Sequence, residues 1–124
     1  MYDQNNVFAK ILRKEIPCEK IYEDEAVLAF KDINPSAPVH ILVITKKEYL
    51  SFDDFVEQAQ DKEISYFFKT VQKIASSSGL VKSGYRIITN HGDDGCQTVP
   101  HFHLHILGKK KLGPLIVGDT HHDS

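Results

Sequence analysis

The sequence predicts an α+β fold: a largely antiparallel sheet of five strands with one short N-terminal helix and one long helix. Three observations lead there. Apolar and β-branched runs of strand length recur five times, bounded by Gly, Pro, Asn or Asp. Between the third and fourth runs the period changes to that of a helix. The last two runs are joined by a glycine-bearing loop too brief for a crossover, which makes them antiparallel neighbours.

Taken in order, Val7, Phe8, Ile11 and Leu12 follow helical spacing, with Asn5 or Asn6 as N-cap. Ile16-Pro17 is the expected stop, because the residue before proline is pushed out of the helical region. Lys20 to Glu23 and Ala26 to Ile33 read as two strands turning around Glu23-Asp24-Glu25. Asn34-Pro35-Ser36-Ala37-Pro38 can only be loop. Val39 to Thr45 is a near-continuous β-branched run, the mark of a central strand covered on both faces. Ser51 to Gln60 has no clean period and suits a short turn of helix. Ile64, Phe67, Phe68, Val71, Ile74 and Ala75 then fall on one helical stripe, with Asp61 as cap and Gly79 as stop. Tyr85 to Asn90 is the fourth strand. His91 to Val99 is a loop with a tight turn at Gly92 to Gly95, and His101 to Leu107 is the fifth strand.

Composition narrows the function classes. A chain of 124 residues, 41% hydrophobic and 26% charged, can close one core without disulfides. It reads as a single domain over 1–124, with its core at 7–108 and a tail at 109–124 that holds His121-His122. A net charge of -2 leaves no electrostatic footprint for nucleic acid or for a membrane surface. Lys109-Lys110-Lys111 is one basic run and suits a solvated strand edge. The first residues carry neither a charged n-region nor an apolar stretch, and no run approaches the ~20 apolar residues of a spanning helix. Cys18 and Cys96, without CxxC spacing, suit a reducing compartment. The expectation is a cytoplasmic protein.

The chemistry concentrates at the fifth strand. His101-Phe102-His103-Leu104-His105-Ile106-Leu107 places three of the chain's seven histidines at alternate positions. On a strand these share one face while Phe102, Leu104 and Ile106 share the other. Two functional readings follow. Histidines two apart on a strand can share a zinc ion, and catalytic zinc often has three protein ligands. Alternatively one imidazole is a nucleophile and its neighbours move protons. A phosphorus centre suits the second, because a phosphoimidazole is itself labile to water. Backbone N–H groups of the adjoining loop and the Thr98 hydroxyl could bind phosphate oxygens without charge.

The run His101 to Leu107 resembles the motif of the histidine-triad (HIT) superfamily. The likeness extends through Phe8-Ala9-Lys10-Ile11, Glu15-Ile16-Pro17, Tyr22-Glu23-Asp24, Ala29 to Ile33, Pro35 to His40, Gly84-Tyr85-Arg86 and Asn90 to Gln97. These residues are similar to those of the branch of histidine-triad nucleotide-binding, HINT-like purine nucleoside phosphoramidases. The resemblance implies a HIT-like fold and a hydrolase cleaving the P–N bond of purine nucleoside 5′-phosphoramidates or aminoacyl adenylates, releasing AMP. It implies His103 as nucleophile, His105 and His40 beside the phosphate, and His101 orienting His103 through its backbone carbonyl. It implies Asp32 on the ribose, and Ile33, Phe8, Ile11, Phe30 and Leu42 as the slot for the base. Asn90, Cys96, Gln97, Thr98 and Val99 would surround the phosphate. It also implies a homodimer with a purine nucleotide as its small-molecule partner.

The residues keep blander readings of their own. Asp32 can cap a turn, Asn90 can end a strand, and Phe8, Ile11, Phe30 and Leu42 can be ordinary core. His40 in an apolar run can be a hydrogen-bonded core histidine. The chain also departs from the branch, which often has Gly at Cys96, Tyr at Pro100, Ser at Thr98 and an acid at His91. Those departures support an alternative: a nucleotide- or partner-binding regulatory protein with weak catalysis. Zinc-bearing relatives use paired N-terminal cysteines, whereas this chain has Phe8-Ala9-Lys10 there and only Cys18 nearby, so no metal or cofactor is expected.

Overall fold

The first helix forms where an asparagine can open it. In the computed structural model, which describes residues 1–116, α1 spans Val7–Leu12. The Asn6 side-chain oxygen accepts the Ala9 N–H at 2.8 Å. The helix closes earlier than Ile16-Pro17: Arg13 caps it, and Lys14 turns the chain away with φ of 64°. The strands are β1 (Lys20–Glu23), β2 (Val27–Lys31), β3 (Val39–Thr45), β4 (Tyr85–Ile88) and β5 (His103–Gly108). Two of them are shorter than the apolar runs that announce them. β2 stops before Asp32, and β4 ends before Thr89, whose hydroxyl donates to the His103 carbonyl at 2.7 Å.

The sheet order is β1-β2-β3-β5-β4, and every neighbouring pair is antiparallel. The expected five-stranded α+β architecture is therefore present, with β3 at its centre. At the first hairpin Asp24 accepts the N–H groups of Ala26 and Val27 at 2.7 and 2.8 Å, the side-chain bond that makes acidic turns.

The segment without a clean period contains a seven-residue helix, α2 (Phe52–Gln58). The long helix, α3 (Asp61–Ser77), is capped by Gln60, with Asp61 as its first residue. Its end is a glycine-terminated turn: Gly79 takes φ of 75°, Gly79 N–H bonds Ser76 carbonyl, and Leu80 N–H reaches Ala75 carbonyl.

Register then decides what each face carries. Ile44 lies opposite His103, Leu42 opposite His105, and Phe30 opposite Leu42. Cross-strand partners project to the same side, so the sheet has a mixed histidine–apolar face and a largely apolar one, on which Thr45 pairs with Val27 and Lys31 with Ile41. The apolar face (Val27, Ala29, Ile41, Val43, Leu104, Ile106) packs against Phe55, Phe67, Val71 and Ile74 of α2 and α3. Phe55 and Phe102 stack there, with centroids 4.7 Å apart. On the other face α1 covers Leu28, Phe30, Leu42 and Ile44 with Phe8 and Ile11. The expectation for His121-His122 and the end of the tail falls outside the described residues. Before them, Gly113 accepts a bond from Arg86 at 3.0 Å.

Candidate active site

The end of β2, the start of β3 and the start of β5 bring Asp32, His40, His103 and His105 to one patch of the sheet. The alternation read from the sequence persists, with one correction. β5 begins at His103, so His101 and Phe102 precede the strand. A ladder cannot hold them there, because Pro100 has no N–H and the His101 N–H turns back to the Val99 carbonyl.

Four imidazoles have their tautomers set by fixed partners. The His103 Nδ1–H donates to the His101 carbonyl at 2.7 Å, which leaves Nε2 with its lone pair free. The Ser36 N–H donates to His40 Nδ1 at 3.0 Å, so neutral His40 carries its proton on Nε2. That Nε2–H donates to His105 Nδ1 at 2.9 Å, which puts the His105 proton on its own Nε2. The His101 Nε2–H donates to the Thr45 carbonyl at 2.6 Å, so its Nδ1 accepts from the Tyr2 hydroxyl at 2.5 Å. One ring thus offers a lone pair and its neighbour an N–H, with their centroids 5.3 Å apart. The Phe8 ring edge packs on His103 at 4.8 Å.

Burial favours the neutral form of three of these rings, His101, His103 and His105. Burial holds His103 below its ordinary pKa of 6.5, against weaker upward pulls from the His101 carbonyl and Asp32. His105 is pushed down to about 4, by burial first and then by His103 and His40. His101 is lowered by burial, opposed by its bond to Thr45.

Asp32 serves two neighbours. One carboxylate oxygen accepts the Asn34 N–H at 2.7 Å and closes the turn; the other lies 3.4 Å from His40 Nε2. The ligand atoms of Asp32, His40 and His105 all lie within 4.8 Å of one another, a spacing that could suit a metal. The donor set does not fit one. The Ser36 N–H occupies His40 Nδ1, and the proton this forces onto Nε2 sits on the atom that an ion would need.

The expected phosphate loop is held by its own polar groups. Asn90 Nδ2 donates to Gly95 carbonyl at 2.6 Å, and Gln97 Nε2 donates to the Leu50 and Val99 carbonyls. Gln97 Oε1 accepts the Gly92 N–H at 3.2 Å. A Cβ on Gly95 would lie 2.4 Å from the His91 carbonyl oxygen, so this close turn requires glycine. Cys96 has a left-handed φ of 60° and is exposed, as is Thr98. Val99 packs on the α1 cluster. Among the expected base-slot residues, Phe8, Ile11, Phe30 and Leu42 are gathered in that buried cluster. Ile33 is not among them: it stands 92% exposed in the loop after Asp32.

Sequence reasoning missed the groups that set the tautomers. Tyr2, the Ser36 N–H and the Thr45 carbonyl carry no local signal, because two are backbone atoms and one lies 99 residues from its partner. It also missed Ser51, whose hydroxyl meets His91 Nδ1 at 2.8 Å and ties the loop to the start of α2.

Comparison with known proteins agrees with this geometry. Residues 13–112 match the family model described as HIT domain. An uncharacterized HIT-like protein of Rickettsia prowazekii is 55% identical over 94% of this chain and 97% of its own. A purine nucleoside phosphoramidase of Escherichia coli K12 is 38% identical over 91% of this chain and 94% of its own. The solved structure of a HIT family hydrolase from Clostridium thermocellum superposes with a TM-score of 0.80 at 41% identity, covering 93% of this chain and 99% of that one. By motif, by sheet order and by relatives that match nearly end to end, the chain belongs to the HIT family.

Proposed function

We propose that this protein is a nucleotide-binding hydrolase that cleaves purine nucleoside 5′-phosphoramidates through a covalent nucleotidyl-His103 intermediate. The observation that carries the reading is the bond from His103 Nδ1 to the His101 carbonyl, which commits Nε2 to be the nucleophilic atom. The name of the Escherichia coli relative supports the substrate class.

In the first step His103 Nε2 forms a bond to the α-phosphorus as the P–N bond breaks and the amine departs with a proton drawn from solvent, which the attacking water of the second step returns. The positive charge that develops on the ring is stabilised at Nδ1–H by the His101 carbonyl. His105 Nε2–H donates to a phosphoryl oxygen, and its Nδ1 is steadied by His40, with Asp32 behind. Water then attacks the same phosphorus, breaks the P–Nε2 bond and releases the nucleoside monophosphate. Asp32 accepts from the ribose hydroxyls in this reading; one carboxylate oxygen is already engaged by the Asn34 N–H, which leaves the other for that role. The apolar cluster under α1 forms the floor on which the purine lies, and exposed Ile33 closes over the base from above.

We further propose a homodimer joined along β4, and a reducing, cytoplasmic setting, supported by two free and exposed cysteines. Among the described residues no helix is long and apolar enough to cross a membrane.

Release of AMP from adenosine 5′-phosphoramidate tests the central claim. Wild type turns over, and His103→Ala loses about a thousandfold or more in kcat while still binding AMP. A variant with near-normal rate would defeat the mechanism. AMP binding without turnover in wild type would favour a nucleotide-binding regulatory protein instead.

A further inference from the structure

We infer that Tyr2 is a positioning residue for the nucleophile: its hydroxyl holds the His101 ring in place, and the His101 carbonyl in turn fixes His103. The inference rests on the reading of His103 as the nucleophile. Three observations support it. His101 is fully buried, yet both ring nitrogens are satisfied, Nε2 by the Thr45 carbonyl and Nδ1 by Tyr2 at 2.5 Å. The Tyr2 ring also meets the His101 ring edge-on, with centroids 5.6 Å apart. Finally, the segment bearing Tyr2 is fastened down just after it, at Asp3, Gln4 and Asn6. Arg13 donates to the Gln4 carbonyl at 2.8 Å, Gln4 donates to Glu48 at 2.8 Å, and Asn6 N–H returns to the Asp3 carbonyl.

The chemistry follows from the donor inventory. A backbone carbonyl can only accept, so Thr45 requires a proton on His101 Nε2, and a neutral ring then needs a donor at Nδ1. Of the groups facing that nitrogen, the Tyr2 hydroxyl is the donor. Glu48 and the His103 ring are the titratable groups that act on His101, while Asp3, Arg13 and Glu48 surround Tyr2. Without the hydroxyl, Nδ1 is a buried acceptor with no partner, and that is relieved by rotation or displacement of the ring. Either movement shifts the backbone whose carbonyl holds the His103 Nδ1–H, which degrades the nucleophile without touching the nucleotide.

Tyr2→Phe keeps the ring contact and removes only the hydroxyl. Histidine-ring nitrogen NMR on the free full chain is the first readout. In wild type His101 is neutral and protonated at Nε2, and His103 is protonated at Nδ1. In Y2F the His101 Nδ1 resonance moves as that nitrogen loses its donor, and the His103 Nδ1 resonance moves as its bond to the His101 carbonyl loosens. In turnover of adenosine 5′-phosphoramidate, kcat falls about three- to tenfold, the effect of one hydrogen bond. KM holds within about twofold. Unchanged ring spectra in Y2F would overturn the inference, as would altered spectra with unchanged kcat. If wild type has no turnover at all, the phosphoramidase reading fails, while the ring spectra still decide whether Tyr2 sets His101 and His103.

Discussion

At the scale of single residues, the site depends on where backbone groups meet ring nitrogens. Cys96 shows the same dependence from the other side. A left-handed backbone costs an ordinary L-residue about 1–2 kcal/mol, and Cys96 adopts it at φ of 60°. Glycine removes that strain but adds freedom to the unfolded chain worth about 0.5–1 kcal/mol. Cys96→Gly is therefore expected to stabilise the fold by up to about 1 kcal/mol, read from the denaturant midpoint. A loss of more than about 1 kcal/mol would show that the thiol makes a contact this account omits. The branch resemblance pointed to glycine at this position, and the backbone supplies the physical reason. Ile33 was less legible: sequence order puts it beside Asp32, but the turn that Asp32 closes swings its side chain into solvent.

At the scale of elements, the strands were legible because side-chain alternation reports directly on burial. Val39–Thr45 is bounded in the structure as its β-branched run suggests, and α3 buries the stripe of Phe67, Val71, Ile74 and Ala75. What was not legible were the ends set by non-local bonds. α1 stops at Leu12 because Lys14 turns left-handed, not because Pro17 forbids helix. The triad strand starts at His103 because the His101 N–H turns back to the Val99 carbonyl and the Phe102 N–H is taken by the Tyr49 carbonyl, a partner from another segment.

The two sheet edges also differ in ways that sequence composition only hints at. β1 carries a Lys20–Glu23 ion pair and a break in register. β4 presents Tyr85 and Ile87 to solvent, with no lysine or proline to blunt it. Pairing of β4 with a second copy would cover that edge. Sedimentation at micromolar concentration should give twice the chain mass, and Ile87→Lys should shift it toward monomer. A wild-type monomer under those conditions removes the claim.

At the scale of the whole molecule, two buried histidines and one half-buried histidine couple the site to stability. His101, His103 and His105 all have folded pKa values below the ordinary 6.5, with burial as the first cause. Below about pH 6.5 the unfolded chain therefore binds more protons than the folded one, and stability falls with pH. The loss continues down to about 4, where His105 itself takes up a proton in the folded state. The denaturant midpoint should be flat from neutral pH upward as far as these groups are concerned, and should decline across that acid window. His105→Asn, which cannot titrate, should flatten part of the decline. An identical pH profile in that variant would mean that other groups govern acid unfolding.

The neutrality of these rings has a further consequence for turnover. In the proposed reaction, the bound phosphoramidate carries one negative charge on phosphorus, and the released monophosphate approaches two, since its second pKa is about 6. An arginine clamp would grip the dianion more tightly than the substrate and slow its escape. Rings held uncharged, with the Asp32 carboxylate close behind, offer the added charge no matching gain. On that reading, the burial that lowers the pKa of His103 and His105 would do more than ready a nucleophile: it would make the pocket a poor host for its own product.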